Sequence, residues 1–390
     1  MKKNKMKLIQ YAVSIIVIIV LLCGIFSIIK RLTGTSSTDK LSNNVSKEQG
    51  KVSEKEVDNS VPLTNLSVNA PEGTLRVGEE MQLDIAYEPK EATNKELKWS
   101  CSEKGGISVS EDGVLTATDK AAKSTVTVTA KTTDGSDLSA SFQLRIYPEI
   151  NPEEPMVAIT FDDGPYEPTT SPILDALEEN YAKATFFCLG QNAKLYPEIV
   201  KREYELGMEV GTHTLSHVQL TTLSSSELET EITDSVDAIK NAIGVAPKLM
   251  RPPYGDVNKD VLAAVGAHDL CCVNWSLDTE DWKTKNADDT YRMVMTATDG
   301  DVVLLHDIHD YNVAAVERFV KDLQAEGFQL VTVSEMYEAR GETLEPGTIH
   351  YRTDPTTQAA EETTATSEID GAGVFEDETT ESSEGTTAIQ

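Results

Sequence analysis

The sequence predicts a multi-domain chain: an N-terminal transmembrane helix, a small all-β sandwich, then an α/β distorted (β/α) barrel. Three observations predict it: an apolar run over residues 8–29, short apolar/polar alternation over 63–147, and a strand–loop–helix rhythm over 155–340. A chain of 390 residues has room for two or three domains of about 100–200 residues each.

Residues 1–31 read as a cytoplasmic stub and signal anchor. An apolar run from 8 to 29 reaches the roughly 20 residues that span a bilayer, and no small-residue cleavage site follows it. Lys2, Lys3, Lys5 and Lys7 precede the run, and only Lys30 and Arg31 follow, which places the N-terminus in the cytoplasm and the rest outside. The alternative is a cleaved export signal and a secreted protein. Residues 32–60, with few large apolar groups, read as a linker.

Residues 61–148 carry runs such as Thr125-Val126-Thr127-Val128-Thr129, with turn signals at Glu72-Gly73, Asp112-Gly113 and Asp134-Gly135. Period-two alternation broken by such turns argues for a β-sandwich. Lys98-Trp99-Ser100 and Gly113-Val114-Leu115-Thr116-Ala117 make this segment similar to the bacterial immunoglobulin-like group two module. That resemblance implies a spacer, with glycan or wall adhesion as the functional alternative.

Residues 149–340 form the barrel. Strands are expected at 157–161, 184–188, 209–212, 249–250, 272–275, 302–305 and 330–333. Helices are expected at 171–181, 197–206, 224–243, 258–265, 287–297 and 313–326, the third opened by a Ser224–Glu227 cap. Alternation of strands and helices argues for a parallel sheet, and this much chain suits an incomplete barrel, whose site forms where strands end. Residues 341–390, rich in Thr, Glu and Ser, read as a disordered acidic tail.

The charge balance excludes one class of function. Lys plus Arg number 34 against 65 Asp plus Glu, a net −31, whereas a nucleic-acid binder presents a basic face. Cys23, Cys101, Cys188, Cys271 and Cys272 make no disulfide framework in a chain this long and read as small buried apolar residues. No obligate protein partner is indicated.

The chemistry concentrates in motifs that each follow an expected strand. Successive strand side chains point to opposite faces, so Asp162 and Asp163 can share one site only where the strand turns, and Gly164-Pro165 supplies a turn. His213 and His217 are four apart, which puts both on one face if the segment makes a helical turn. Three such ligands with an open position suit a catalytic divalent cation, leaving the other aspartate as a free base. Arg251-Pro252-Pro253-Tyr254-Gly255 has a rigid backbone suited to aiming an N–H at an oxyanion. Asp278-Thr279-Glu280-Asp281-Trp282 offers carboxylates and an aromatic wall, and His306 ends an apolar strand, placed to donate a proton.

These five motifs in this order resemble the polysaccharide deacetylase family, the metal-dependent deacetylases of chitin and peptidoglycan, over residues 155–340. The resemblance implies Asp163, His213 and His217 as metal ligands, and Asp162 as general base held and kept ionised by Arg251. It implies His306 as general acid oriented by Asp278, the Tyr254 N–H as an oxyanion donor, and Trp282 and Leu304 as walls for the acetyl methyl. The cation it implies is Zn2+, with Co2+, Ni2+ or Mn2+ also compatible with the ligand set. The partner it implies is an acetylated cell-wall polysaccharide. The run from Asp278 to Asn286 is more similar to peptidoglycan deacetylases than to xylan esterases. The alternatives are chito-oligosaccharide, poly-N-acetylglucosamine or acetylxylan as substrate, or a non-catalytic glycan-binding protein.

Overall fold

The computed structural model describes residues 60–355. The expected anchor, nearly all of the linker and most of the acidic tail lie outside these residues. Among the described residues no helix is long and apolar enough to cross a membrane.

Residues 65–147 are all-β: β1 (Asn65–Asn69), β2 (Thr74–Arg76), β3 (Glu80–Gln82), β4 (Asp84–Glu88), β5 (Leu97–Cys101), β6 (Ile107–Val109), β7 (Val114–Ala117), β8 (Ser124–Thr132) and β9 (Ser139–Tyr147). They pair as β1-β4, β2-β9-β8-β5 and β3-β7-β6. The alternation does what period two dictates: Val126, Val128 and Ala130 of β8 point into a core shared with Leu115, Leu144 and Ile146, and the threonines between them face outward.

The second folded unit is one nine-stranded sheet. Its strands are β10 (Met156–Asp162), β11 (Thr185–Cys188), β12 (Glu209–Thr212), β13 (Leu249–Met250), β14 (Cys271–Val273), β15 (Leu277–Asp278), β16 (Val302–His306), β17 (Gln329–Val331) and β18 (Ile349–His350). The order is β15-β16-β10-β11-β12-β13-β14-β18, with β17 also on β10, and every pairing is parallel. The two ends, β15 and β18, do not pair with each other, so the barrel is incomplete, as expected.

Strand β10 is buried along its whole length, the mark of a parallel strand covered on both faces. Val157, Ile159 and Phe161 pack outward among helix residues such as Ile173, Leu177 and Phe319. Met156 and Ala158 face inward with Phe187 and Leu249. By the same alternation Thr160 and Asp162 point inward, toward the C-terminal mouth. The helix Ser225–Ile243 opens with the expected capping box, Ser224 with Glu227, and closes on Gly244 at φ 84°.

Some expectations fail at element ends. Val333 starts the helix Val333–Ala339 rather than ending a strand, because Thr332 and Glu335 form a capping box that overrides a β-branched run. The tail was expected from residue 341, yet β18 pairs with β14 and Thr353 is buried. The Tyr337 hydroxyl donates to the Arg352 carbonyl at 2.8 Å. The folded unit therefore runs on past 350, because a two-residue strand in a polar segment leaves no periodic signal. Four cysteines are free among the described residues, and Cys188, Cys271 and Cys272 are buried.

Candidate active site

The site is built where β10, β12, β13 and β16 end. Parallel register sets Asp162 beside His306 and Asp278 beside Leu304. Asp163 takes φ 75°, and this left-handed turn brings its side chain to the same side as Asp162 instead of the opposite face. A Cβ on Gly164 would fall 2.2 Å from an Asp307 oxygen, so only glycine permits the turn there.

The histidines sit on a loop and not on a helical turn, which corrects the expectation from their spacing. Thr214 (φ 70°) and His217 (φ 62°) are left-handed, and Glu231 holds the curve from the long helix. Its carboxylate accepts the Leu215 and Ser216 N–H groups at 3.0 Å and the Ser216 hydroxyl at 2.6 Å. His213 Nδ1 bonds the Arg251 carbonyl at 2.6 Å, leaving Nε2 for the site. Nε2 of His213 and of His217 lie 3.6 and 3.4 Å from Asp163 Oδ1. The three potential ligand atoms are within 4.8 Å of one another. Burial pulls the His213 imidazole down to about 3, so it stays neutral and able to ligate.

Arg251 is fully buried, and its guanidinium is spent on fixed acceptors: Val273 and Asn274 carbonyls at 3.0 Å, Thr160 Oγ1 at 2.7 Å and Asp162 Oδ1 at 2.9 Å. Burial pushes the Asp162 carboxyl above its ordinary range, while the Arg251 charge works against that rise.

Asp281, not Asp278, orients His306, which corrects the role that the resemblance implied. His306 Nδ1 lies 2.8 Å from Asp281 Oδ1, and the His306 N–H donates to Oδ2 at 2.9 Å. Asn312 Nδ2 donates to the same Oδ2. Glu280 is left-handed (φ 50°) and starts the short helix Asp281–Thr284, which turns Asp281 inward. Burial acts to lower the His306 imidazole, but its hydrogen bond and ion pair with Asp281 win and hold it up to about 9. Among the described residues, Asp278 accepts only the Glu280 N–H, at 2.8 Å.

Asp162, Asp163, His213, His217, Tyr254, Asp278, Trp282, Leu304 and His306 all line one cavity of about 440 Å³, with Trp275. Tyr254 stands at its rim, left-handed at φ 62° and 66% exposed. Gly255 is packed tightly beneath, where a Cβ would meet the Trp275 ring at 3.0 Å.

Residues 149–273 match the family model described as polysaccharide deacetylase. The peptidoglycan-N-acetylglucosamine deacetylase PgdA of Listeria monocytogenes is 43% identical over 192 residues, 49% of this chain and 40% of the relative. The peptidoglycan-N-acetylmuramic acid deacetylase PdaC of Bacillus subtilis is 41% identical over 192 residues, with the same shares. A peptidoglycan-N-acetylglucosamine deacetylase of Bacillus cereus is 35% identical over 195 residues, 48% of this chain and 91% of the relative. The chain belongs to the polysaccharide deacetylase family. It spans about 40% of the length of the first two relatives.

The donor set fits the cation that polysaccharide deacetylases use. Asp163 Oδ1 is buried with no hydrogen-bond partner, and a buried carboxylate oxygen left bare calls for a positive charge. Two imidazoles and one carboxylate with cavity beside them match an open catalytic site. Sequence reasoning missed Glu231, Trp275 and Asn312 as parts of the site, and gave no role to Thr160 or Asp281. Asp281 stood inside a recognised motif, where alternation alone could not say which carboxylate faces the histidine. Glu231 carried no signal at all, since a glutamate on an amphipathic helix reads as a solvated residue.

Proposed function

We propose that this polysaccharide deacetylase hydrolyses the N-acetyl groups of N-acetylglucosamine residues in peptidoglycan, releasing acetate. The observation that carries the reading is the convergence of a base pair (Asp162–Arg251), an acid pair (His306–Asp281) and a three-ligand set on one cavity. When bound, a divalent cation, zinc on this reading, supplies Lewis acidity to the amide carbonyl and acidifies water.

Asp162 takes a proton from the attacking water, and Arg251 keeps its carboxylate aimed. Asp163, His213 and His217 hold the cation. The Tyr254 N–H is the donor assigned to the developing oxyanion. His306 protonates the sugar nitrogen from Nε2, since Nδ1 is engaged by Asp281. The carbon–nitrogen bond breaks, leaving acetate and a free amine. Trp282 and Leu304 bound the space for the acetyl methyl. The sandwich is read as an immunoglobulin-like module. Residues 8–29 are read as a membrane anchor, with the N-terminus cytoplasmic and the site outside.

The test is acetate release from purified peptidoglycan, with chelator and then with re-added zinc. Chelator-sensitive release supports the reading. Release from chito-oligosaccharide or acetylxylan alone overturns the substrate. Silence on every acetylated glycan by metal-loaded protein overturns the activity.

A further inference from the structure

Among the described residues, three carboxylates line the cavity, and no lysine or arginine does. Asp162 faces Arg251 at 2.9 Å, and Asp163 belongs to the ligand set. Asp278 has neither occupation. It is half-buried on β15, opposite Leu304, and its side chain makes one hydrogen bond, from the Glu280 N–H. That bond closes a local turn and engages a single oxygen. The other oxygen has no hydrogen-bond partner among the described residues, and the His306 partnership expected of this residue belongs to Asp281. Asp278 thus presents a carboxylate to the reaction cavity with no Lys, Arg or His side chain of the described residues in hydrogen-bond contact with it.

The relatives are named for two different sugars, N-acetylglucosamine and N-acetylmuramic acid. These differ by a lactyl ether at O3, which ends in a carboxyl group that is ionised when no peptide caps it. We propose that Asp278 is a specificity residue: its carboxylate disfavours glycans bearing a free carboxylate at the reacting position, so the site takes sugars with uncharged O3 substituents. This rests on the deacetylase reading above. The physical cause is like-charge repulsion across a partly solvated cavity, which at a few ångströms' separation amounts to about tenfold in rate.

The experiment uses the full chain and a peptide-free glycan of alternating N-acetylglucosamine and N-acetylmuramic acid. One sample keeps its lactyl carboxylates, and in the other they are converted to carboxamides, a change of charge with little change of shape. For each form, kcat/KM is measured for acetate loss from the N-acetylmuramic acid residues alone, scored by mass spectrometry of glycosidase digests. The ratio of the two is compared in wild type and in Asp278→Asn, at low and high salt. No loss from these residues in either form overturns the inference. Asparagine retains the oxygen that accepts the Glu280 N–H, so the turn persists. Wild type is expected to favour the carboxamide by about tenfold, less at high salt, and Asp278→Asn to bring the ratio close to unity. Equal rates on the two forms in wild type, or a preference indifferent to salt, overturns the inference without need of the variant. So does a preference unchanged in Asp278→Asn. These results leave the deacetylase reading standing. Absence of acetate from both forms and from intact peptidoglycan removes that reading, and the inference with it.

Discussion

Single residues in this site are tuned by what they touch. Burial alone would keep His306 neutral, and the Asp281 partnership reverses that, holding it near 9. The sign follows: the acid form exists below about 9 and is lost as pH rises through it. Turnover is therefore expected to fall on an alkaline limb near 9, and Asp281→Asn should move that limb to lower pH. The same variant should lower kcat by about two to four orders of magnitude. A pH–rate profile checks both; an unmoved limb would return the orienting role to another residue. Asp162→Asn should keep its metal and lose nearly all turnover, since the three ligand atoms remain. Metal analysis beside acetate assays decides it, and metal lost along with activity would refute the split between base and ligand. The motifs that carry the proposed base, ligands and acid were legible from residue type and order, and the family resemblance supplied the roles proposed for them. The orienting carboxylate was not, because Asp278 and Asp281 are equivalent until the left-handed Glu280 turns one of them inward.

At the scale of elements, strand alternation and helix caps do the positioning. Thr160 and Asp162 share the inward face of β10, so one guanidinium bonds both. The histidine loop depends on a helix that contributes no ligand. Glu231 satisfies two N–H groups and a hydroxyl of that loop. Glu231→Ala should weaken metal affinity by about 10- to 100-fold, the usual effect of losing a partner that orients ligands. Titration of the metal-free protein with zinc would measure it, and unchanged affinity would show that the loop holds itself. The strands and long helices were readable from periodicity and caps. The short pieces, Gly190–Leu195, β15 and β18, were not, because a few residues carry too little pattern to separate helix, strand and turn.

At the scale of the described molecule, the all-β unit packs on the end of the barrel opposite the cavity. Arg76 forks onto Glu335 at 2.7 and 2.8 Å, and Lys183 reaches the same carboxylate at 2.8 Å. Tyr147 donates to the Leu206 carbonyl at 2.8 Å, and Arg145 pairs with Glu178. Lys183 and Leu206 precede β11 and β12, so the contact lies at strand N-terminal ends, where stability rather than chemistry resides. Burial would raise Glu335, but Lys183 and Arg76 outweigh it and hold its carboxyl down to about 2. A depressed carboxyl stabilises above its unfolded value of roughly 4.3, and that contribution is lost as pH falls toward 2. Glu335→Ala strands two buried cations and should cost about 3 kcal/mol or more. Activity per folded molecule should stay unchanged. Urea unfolding beside acetate release tests this, and a stable variant would mean that the two units are held by apolar contact alone.

The sequence by itself determined the order of folded units, the parallel α/β character and the five motifs, because those depend on residue type, spacing and local propensity. Only the tertiary structure decided which aspartate bonds His306, how the histidine loop curves and where the all-β unit rests. Each of these turns on pairings between residues far apart in the chain, or on left-handed turns at non-glycine residues, and neither leaves a local trace in the sequence.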